Sequence, residues 1–251
     1  MPKLKKYLGS KNYLLKHYRR LGNMENDFRN YNLIKLIASK VKGNAVLDIG
    51  CGSGLLIEVL SKMGVRVFGI EPNKELIKLA KDTNPELYII NGYAEDIDTF
   101  KQKIDTITII DVLEHIENDN LQIQKIYTKL DNGGSLIIVV PAFQFLYGKR
   151  DENLGHYRRY SKKELIQKVS KAGFKIASIR YWNMLGFFPY IFYEKIINKE
   201  LNTELRSGKE KGIGKNLIAK MLNFWFRHIE NNINFNFGLS LICIAEKRLK
   251  S

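Results

Sequence analysis

Residues Val46 to Gly54 read VLDIGCGSG. The apolar run Ala45–Ile49 carries one acid, Asp48, and gives way to glycines at alternate positions, Gly50, Gly52 and Gly54. Glycine tolerates positive φ and lets a ligand approach the backbone closely, while the helical period that follows points its first amide groups at the same place. A bare tight turn would carry similar glycines. The strand before this bend and the helix after it favour a ligand cradle for something flat and polar. The helical stretch Gly54–Lys62 is expected to place Leu56, Val59, Leu60 and Met63 on one face and to stop at Gly64.

The next strand downstream, Val65–Ile70, is closed by Glu71, 21 residues after Gly50. An acid there sits at the tip of the neighbouring strand, where a carboxylate can accept both hydroxyls of a ribose. Dinucleotide enzymes share this logic, but their fingerprint requires Gly or Ala where this chain has Leu55. The GxGxG spacing disfavours NAD or FAD. No GKS or GKT follows, which excludes a phosphate-binding P-loop.

Working outward, short β-branched runs alternate with helical periods: Leu87–Ile90, Thr106–Ile110 and Ser135–Val140, each bounded by Gly, Pro or Asp. Strands buried on both faces and separated by 10 to 20 residues of helix indicate a parallel, doubly wound α/β sheet. An amphipathic helix is expected over Tyr31–Val41, and another opens with a capping box at Ser161 and Glu164, buries Leu165 and Val169, and ends at Gly173. The last third departs from alternation. Phe174–Trp182 and Phe235–Ala245 read as strands about 50 residues apart, far more than a hairpin loop needs. Between them lie MLGFFPYIFY, a polar Lys199–Gly214 segment and an amphipathic helix near Leu217–Phe226, expected to form an insertion over one end of the sheet.

The composition is that of a folded globular protein, 45% hydrophobic and 27% charged over 251 residues, which excludes disorder, collagen and a disulfide scaffold. Two cysteines, Cys51 and Cys243, suit a reducing compartment. The longest apolar run, Met184–Tyr193, is about half of what a spanning helix needs, and no secretory stretch is seen, so a cytoplasmic location is expected. The formal charge of +15 is uneven: residues 1–20 hold seven Lys or Arg and no acid, and residues 199–251 hold ten basic and five acidic residues. A basic arm and tail around a nearly neutral body can attract nucleic acid, anionic lipid or a phosphorylated substrate, or can be no more than a solvated lysine-rich surface.

VLDIGCGSG is followed by GIEPN at Gly69–Asn73, GYAEDI at Gly92–Ile97, DTITIIDVLEHI at Asp105–Ile116 and GGSLIIVVP at Gly133–Pro141. In order and spacing these motifs resemble the class I S-adenosylmethionine-dependent methyltransferases over roughly residues 30–182 plus the final strand. The resemblance implies a Rossmann-like doubly wound seven-stranded mixed sheet with helices on both faces, an antiparallel last strand and a helical insertion before it. It also implies one methyltransferase domain over 1–251, with a basic helical arm at 1–42 and a cap insertion at 183–234. S-adenosylmethionine would be the cofactor, leaving as S-adenosylhomocysteine. Asp48, Gly50, Cys51 and Gly52 would contact it, Glu71 would take its ribose, Pro72 an adenine face, Tyr93, Ala94 and Glu95 the adenine edge, and Asp111 would lie beside the sulfonium. Tyr93 stands where many relatives have an Asp that receives the adenine amino group. A sulfonium methyl is already activated, so such an enzyme mainly aligns donor and acceptor and excludes water.

Two further constellations address the acceptor. DVLEHI puts Asp111, Glu114 and His115 just beyond a strand end; His115 can act as a general base or bind the acceptor, or Glu114 and His115 can merely cap a helix. A divalent ion on Asp111, Glu114 and His115 would resemble the ubiquinone-biosynthesis O-methyltransferases, but no metal is expected. RDENLGHYRRYS, Arg150–Ser161, resembles bacterial and archaeal methyltransferases of surface-glycan, lipid or natural-product pathways. Here His156 and Tyr160 join His115 as candidate catalytic residues, and Arg158 and Arg159 join Glu114 in acceptor binding, unless Asp151 or Glu152 ties up an arginine. The aromatic stretch Trp182–Tyr193 is expected to pack as core or cap, or else to meet a lipid headgroup region. Overall the sequence suggests methyl transfer to oxygen of a small-molecule or glycan/lipid-linked acceptor. RNA methylation and non-enzymatic binding of S-adenosylmethionine are the alternatives.

Overall fold

The computed structural model describes residues 27–197 and 213–248. Their strands are β1 (Ala45–Ile49), β2 (Arg66–Glu71), β3 (Tyr88–Asn91), β4 (Thr106–Ile110), β5 (Ser135–Pro141), β6 (Phe174–Trp182) and β7 (Ser240–Lys247). They form one sheet in the order β3-β2-β1-β4-β5-β7-β6. β1 pairs in parallel with both β2 and β4, and β7 runs antiparallel between β5 and β6, with Pro141 opposite Ser240 and Trp182 opposite the same serine. Strand order reverses at β1 and β4, and a ligand crevice opens beyond the carboxyl ends of strands at such a point.

Side chains alternate across the strands and feed two cores. Leu47, Ile49, Leu136, Ile138 and Val140 meet α4 (Asp119–Lys129) and, beyond the short α5 (Lys149–Leu154), α6 (Lys162–Lys171) through Ile123, Ile126, Leu165 and Val169. Val46, Ile137 and Val139 face α1 (Phe28–Ala38), α2 (Leu55–Lys62) and α3 (Lys74–Thr83) through Leu33, Ile37, Leu56 and Ile57. Helices therefore cover both faces, as the near-continuous apolar strands require.

Several boundaries differ from expectation. α1 starts at Phe28, not Tyr31, because the Asp27 carboxylate caps it by accepting from the Asn30 amide at 3.1 Å. In α2 the buried residues are Leu55, Leu56, Ile57 and Leu60, whereas Val59 is half-buried and Met63 is exposed beyond the last turn. β7 begins at Ser240 rather than Phe235: Gly238 lies so close to Trp182 that a Cβ there would come within 2.5 Å of its carbonyl oxygen, and Phe237 instead packs on Phe187. The Ser161 hydroxyl does accept from the Glu164 amide, at 3.1 Å.

Within the insertion, a short helix α7 (Phe187–Ile191) runs on as a wider π-helical turn through Ile196, and α8 (Ile213–Phe224) runs on likewise to Glu230. α8 lies against α1, where Phe226 packs between Phe28 and Trp182. Residues 1–26 of the expected 1–42 arm and most of the polar Lys199–Gly214 segment lie outside the described residues. Among the described residues no helix is long and apolar enough to cross a membrane.

Candidate active site

A cavity of about 1300 Å³ opens at the carboxyl ends of β1, β2, β4 and β5. It exceeds the roughly 300–1,000 Å³ of a single-ligand pocket, leaving room for two. At one end is the glycine bend. Gly50 has φ +73° and a Cβ on it would meet Val112 at 2.3 Å, so only glycine fits. The Gly52 amide donates to Glu71 Oε2 at 2.9 Å and the Asn73 amide to Oε1 at 2.8 Å, which fixes the carboxylate at the tip of β2. Burial raises the Glu71 carboxyl, and these two amides oppose the rise.

Asp48 is buried beneath the bend and accepts from Thr108 Oγ1 at 2.6 Å. Burial pushes its carboxyl up to about 7 against that hydrogen bond, and the charge of Glu71 adds to the rise. Cys51 is buried over Gly69, and burial, then the charges of Asp48 and Glu71, lift its thiol well above the usual range. It fills space as a neutral thiol.

Pro72, Tyr93, Ala94 and Glu95 line the same end. Their loop is pinned from α4 by Gln122 Nε2, which donates to the Ala94 carbonyl at 2.8 Å, and by Lys125 Nζ, which donates to Glu95 O at 2.8 Å. Gln122 Oε1 is buried without a hydrogen-bond partner. Asp111 follows β4 at a left-handed φ of 52°, a conformation that costs energy and often marks a functional position. This end suits an adenosyl group carrying positive charge: a buried anion, a tip carboxylate, a bend too tight for any Cβ, and an orphaned acceptor on Gln122.

The other end is built from the segments after β4 and β5. Glu114 is fully buried; neither of its carboxylate oxygens has a hydrogen-bond partner, and burial, then the nearby Asp111 charge, hold its carboxyl well above the ordinary range. His156 Nε2 lies 3.9 Å from Glu114 Oε1, its Nδ1 is 2.7 Å from Asp151 Oδ1, and its ring meets His115 edge-on with centroids 4.6 Å apart. Burial would raise the Asp151 carboxyl, but His156 and Arg159 override it and hold it at about 2. A carboxylate on Nδ1 sets the tautomer and aims Nε2. Glu114, His115 and His156 also offer three ligand atoms within 4.8 Å of one another.

The expectations for the RRY segment need correcting. Arg159 is buried with its Nε on both Asp151 oxygens, at 2.9 and 2.8 Å, and its Nη2 donates to the Tyr190 hydroxyl at 2.6 Å. Arg158 bonds Asp119 at 2.9 Å and the Glu117 carbonyl at 2.8 Å. Both arginines line the cavity, yet each is held by an internal carboxylate, Arg159 by Asp151 and Arg158 by an Asp119 it shares with Lys168, so both brace the loop. Tyr160 lies outside the cavity, fully buried, donating to Asp119 Oδ2 at 2.9 Å; burial and Asp119 raise its hydroxyl, which removes it from proton transfer.

Other lining residues went unread in the sequence. Arg29 on α1 donates to Asn30 Oδ1 at 3.0 Å, its Nε is buried without a hydrogen-bond partner among the described residues, and its guanidinium sits over the Trp182 ring. Its signal was the i,i+4 spacing to buried Leu33. Arg150 carries no ion pair or hydrogen bond among the described residues, and Asn183, buried at the end of β6, has an unpartnered Nδ2. A polar residue straight after a strand was the available clue.

Strand order, glycine bend and tip carboxylate together define the class I S-adenosylmethionine-dependent methyltransferase fold. A model of the methyltransferase domain family matches residues 18–179, and the chain belongs to that family. It is 37% identical over 120 residues to the mitochondrial ubiquinone biosynthesis O-methyltransferase of Mus musculus, a match covering 43% of this chain and 32% of the mouse protein. The chain spans less than half the length of the curated relatives it matches. A Thermotoga maritima S-adenosylmethionine-dependent methyltransferase, described as a possible histamine N-methyltransferase, superposes at a TM-score of 0.61 with 15% identity, covering 97% of this chain and 100% of that one. The plantazolicin methyltransferase in complex with S-adenosylhomocysteine does so at 0.61 with 16% identity, covering 98% and 96%.

Proposed function

We propose that the protein transfers a methyl group from S-adenosylmethionine to an oxygen of a small-molecule or glycan/lipid-linked acceptor. The observation that carries this reading is the single cavity in which the Asp48–Glu71 cradle and the Asp151-held His156 face the same space. The bound cofactor supplies an activated methyl on a positively charged sulfur. Asp48 offers it a buried anion, Glu71 its remaining lone pairs, and Arg29 a cation for its carboxylate. On the acceptor side His156 Nε2, aimed by Asp151, takes the hydroxyl proton, with His115 edge-on beside it. Arg150 and Asn183 offer donors to further acceptor oxygens, the role first assigned to Arg158 and Arg159. Residues 183–234 supply part of this wall through Asn183 and Tyr190.

A second reading has one specific observation behind it. The clustered Glu114, His115 and His156 can hold a divalent ion, with His156 in place of Asp111 in the expected set, and Asp151 buttressing His156 as an outer-shell carboxylate.

The test is incubation of purified protein with methyl-labelled cofactor and fractionated cell extract. Label is expected in an alkali-stable, extract-derived product carrying an O-methyl ether. Tight cofactor binding with no labelled product from any fraction would leave a binding protein instead.

A further inference from the structure

The two helices of the insertion expose apolar rows that a solvent-facing helix does not carry. On α8, Leu217, Met221 and Phe224 are 60%, 63% and 60% exposed at the i, i+4, i+7 spacing of one face. On the helix that begins at Phe187, Phe188, Phe192 and Ile196 are 61%, 50% and 69% exposed. Single exposed apolar residues are ordinary, but rows of them mark an interaction surface. The opposite faces are already used: Phe226 is buried against Phe28 and Trp182, and Tyr190 packs with Leu146 and Leu239.

The charges say what the surface meets. Each helix has a single acid, and both acids are buried: Glu194, and Glu230, whose carboxylate accepts from Trp225 Nε1 at 2.9 Å and the Met184 amide at 3.1 Å. The exposed charged residues beside the α8 row are Lys220 and Arg227. Apolar residues between cations with no exposed acid form the pattern of a helix lying in an anionic lipid interface. A second copy of the chain fits poorly, since a two-fold contact would bring these cations together in a chain of net charge +15. We propose that the exposed faces of α8 and of the Phe187–Ile196 helix dock on an anionic bilayer. Tyr190, between Phe188 and Phe192 in sequence, lines the cavity, so docking would place its acceptor end beside the membrane.

The test is co-flotation of the full chain with vesicles of phosphatidylcholine alone or mixed with phosphatidylglycerol, at low and high salt. Binding to the mixed vesicles is expected, weakening with salt and largely absent on phosphatidylcholine. K220E/R227E should lose about tenfold or more, from about 1 kcal/mol per basic residue near such a surface. M221S/F224S should lose binding at both salt concentrations. Neither variant changes a cavity-lining residue, so unchanged cofactor affinity and circular dichroism certify their fold. The proposal is overturned if wild type ignores the mixed vesicles, if the variants bind as wild type does, or if light scattering shows a dimer that M221S/F224S dissolves. Cofactor binding is read separately, so failure here leaves the methyltransferase reading standing.

Discussion

Asp48 links stability to ligand charge. Its folded-state value of about 7 lies above the ordinary 3.8, so folding takes up a proton there. That contribution to stability is complete below about pH 4 and is lost as pH rises through about 7. Asp48→Asn keeps an acceptor for Thr108 and never ionises. It is expected to melt higher than wild type at pH 8, by an amount on the order of a few kcal/mol, with the gap closing toward about pH 4. The same substitution should remove the reward a cationic cofactor earns from a buried anion. Calorimetric affinity should rise about tenfold between pH 6 and 8 in wild type and stay flat in the variant; equal slopes would detach Asp48 from the cofactor. Asp48 and Glu71 were legible because strand ends and glycine spacing locate them without tertiary information. The Asp151 pairing of Arg159 was among the alternatives the sequence offered, but the partner of Arg158 was not, since a side chain's role depends on its partner, and that of Arg158 is Asp119, 39 residues away.

At the level of elements, period and punctuation were sufficient for the strands' existence, and their ends moved wherever a contact from elsewhere intervened. The start of β7 is the clearest case: Phe235–Leu239 has strand-like composition, but the close approach of Gly238 to Trp182 holds the segment out of the ladder, and Leu239 at its end lines the cavity. The glycine bend is the opposite case, where local chemistry is decisive. Gly50→Ala would place a methyl within 2.3 Å of Val112 and force an alanine to φ +73°. The left-handed backbone alone costs roughly 1–2 kcal/mol, and relief of the clash must move the segment bearing Asp111 and Val112. The expected result is a modest fall in melting temperature with loss of cofactor binding. A variant that binds cofactor normally would show that the bend does not shape the cradle.

Across the whole molecule, the proposed acceptor end is assembled from pieces remote in sequence: Glu114 and His115 after β4, Asp151 and His156 after β5, and Tyr190 from the insertion. Each segment was recognisable alone, but their convergence was not, because nothing local in a chain shows which carboxylate a buried histidine will face. Here Asp151 serves both His156 and Arg159, and Arg159 hands the connection on to Tyr190. The insertion, the post-β5 loop and the His156 imidazole are thus joined in one hydrogen-bonded network. His156→Ala should therefore reduce turnover by about 10²–10⁴-fold if the imidazole is the base, while cofactor affinity, set at the other end of the cavity, stays within about twofold. Treating wild type with a chelator separates the two readings of the same triad. Activity that survives chelation assigns His156 to proton transfer, whereas activity lost to the chelator and restored by one divalent ion assigns Glu114, His115 and His156 to that ion. Retention of full turnover by His156→Ala in the chelated protein would refute both, and would leave the acceptor hydroxyl ionised by its own chemistry before it arrives.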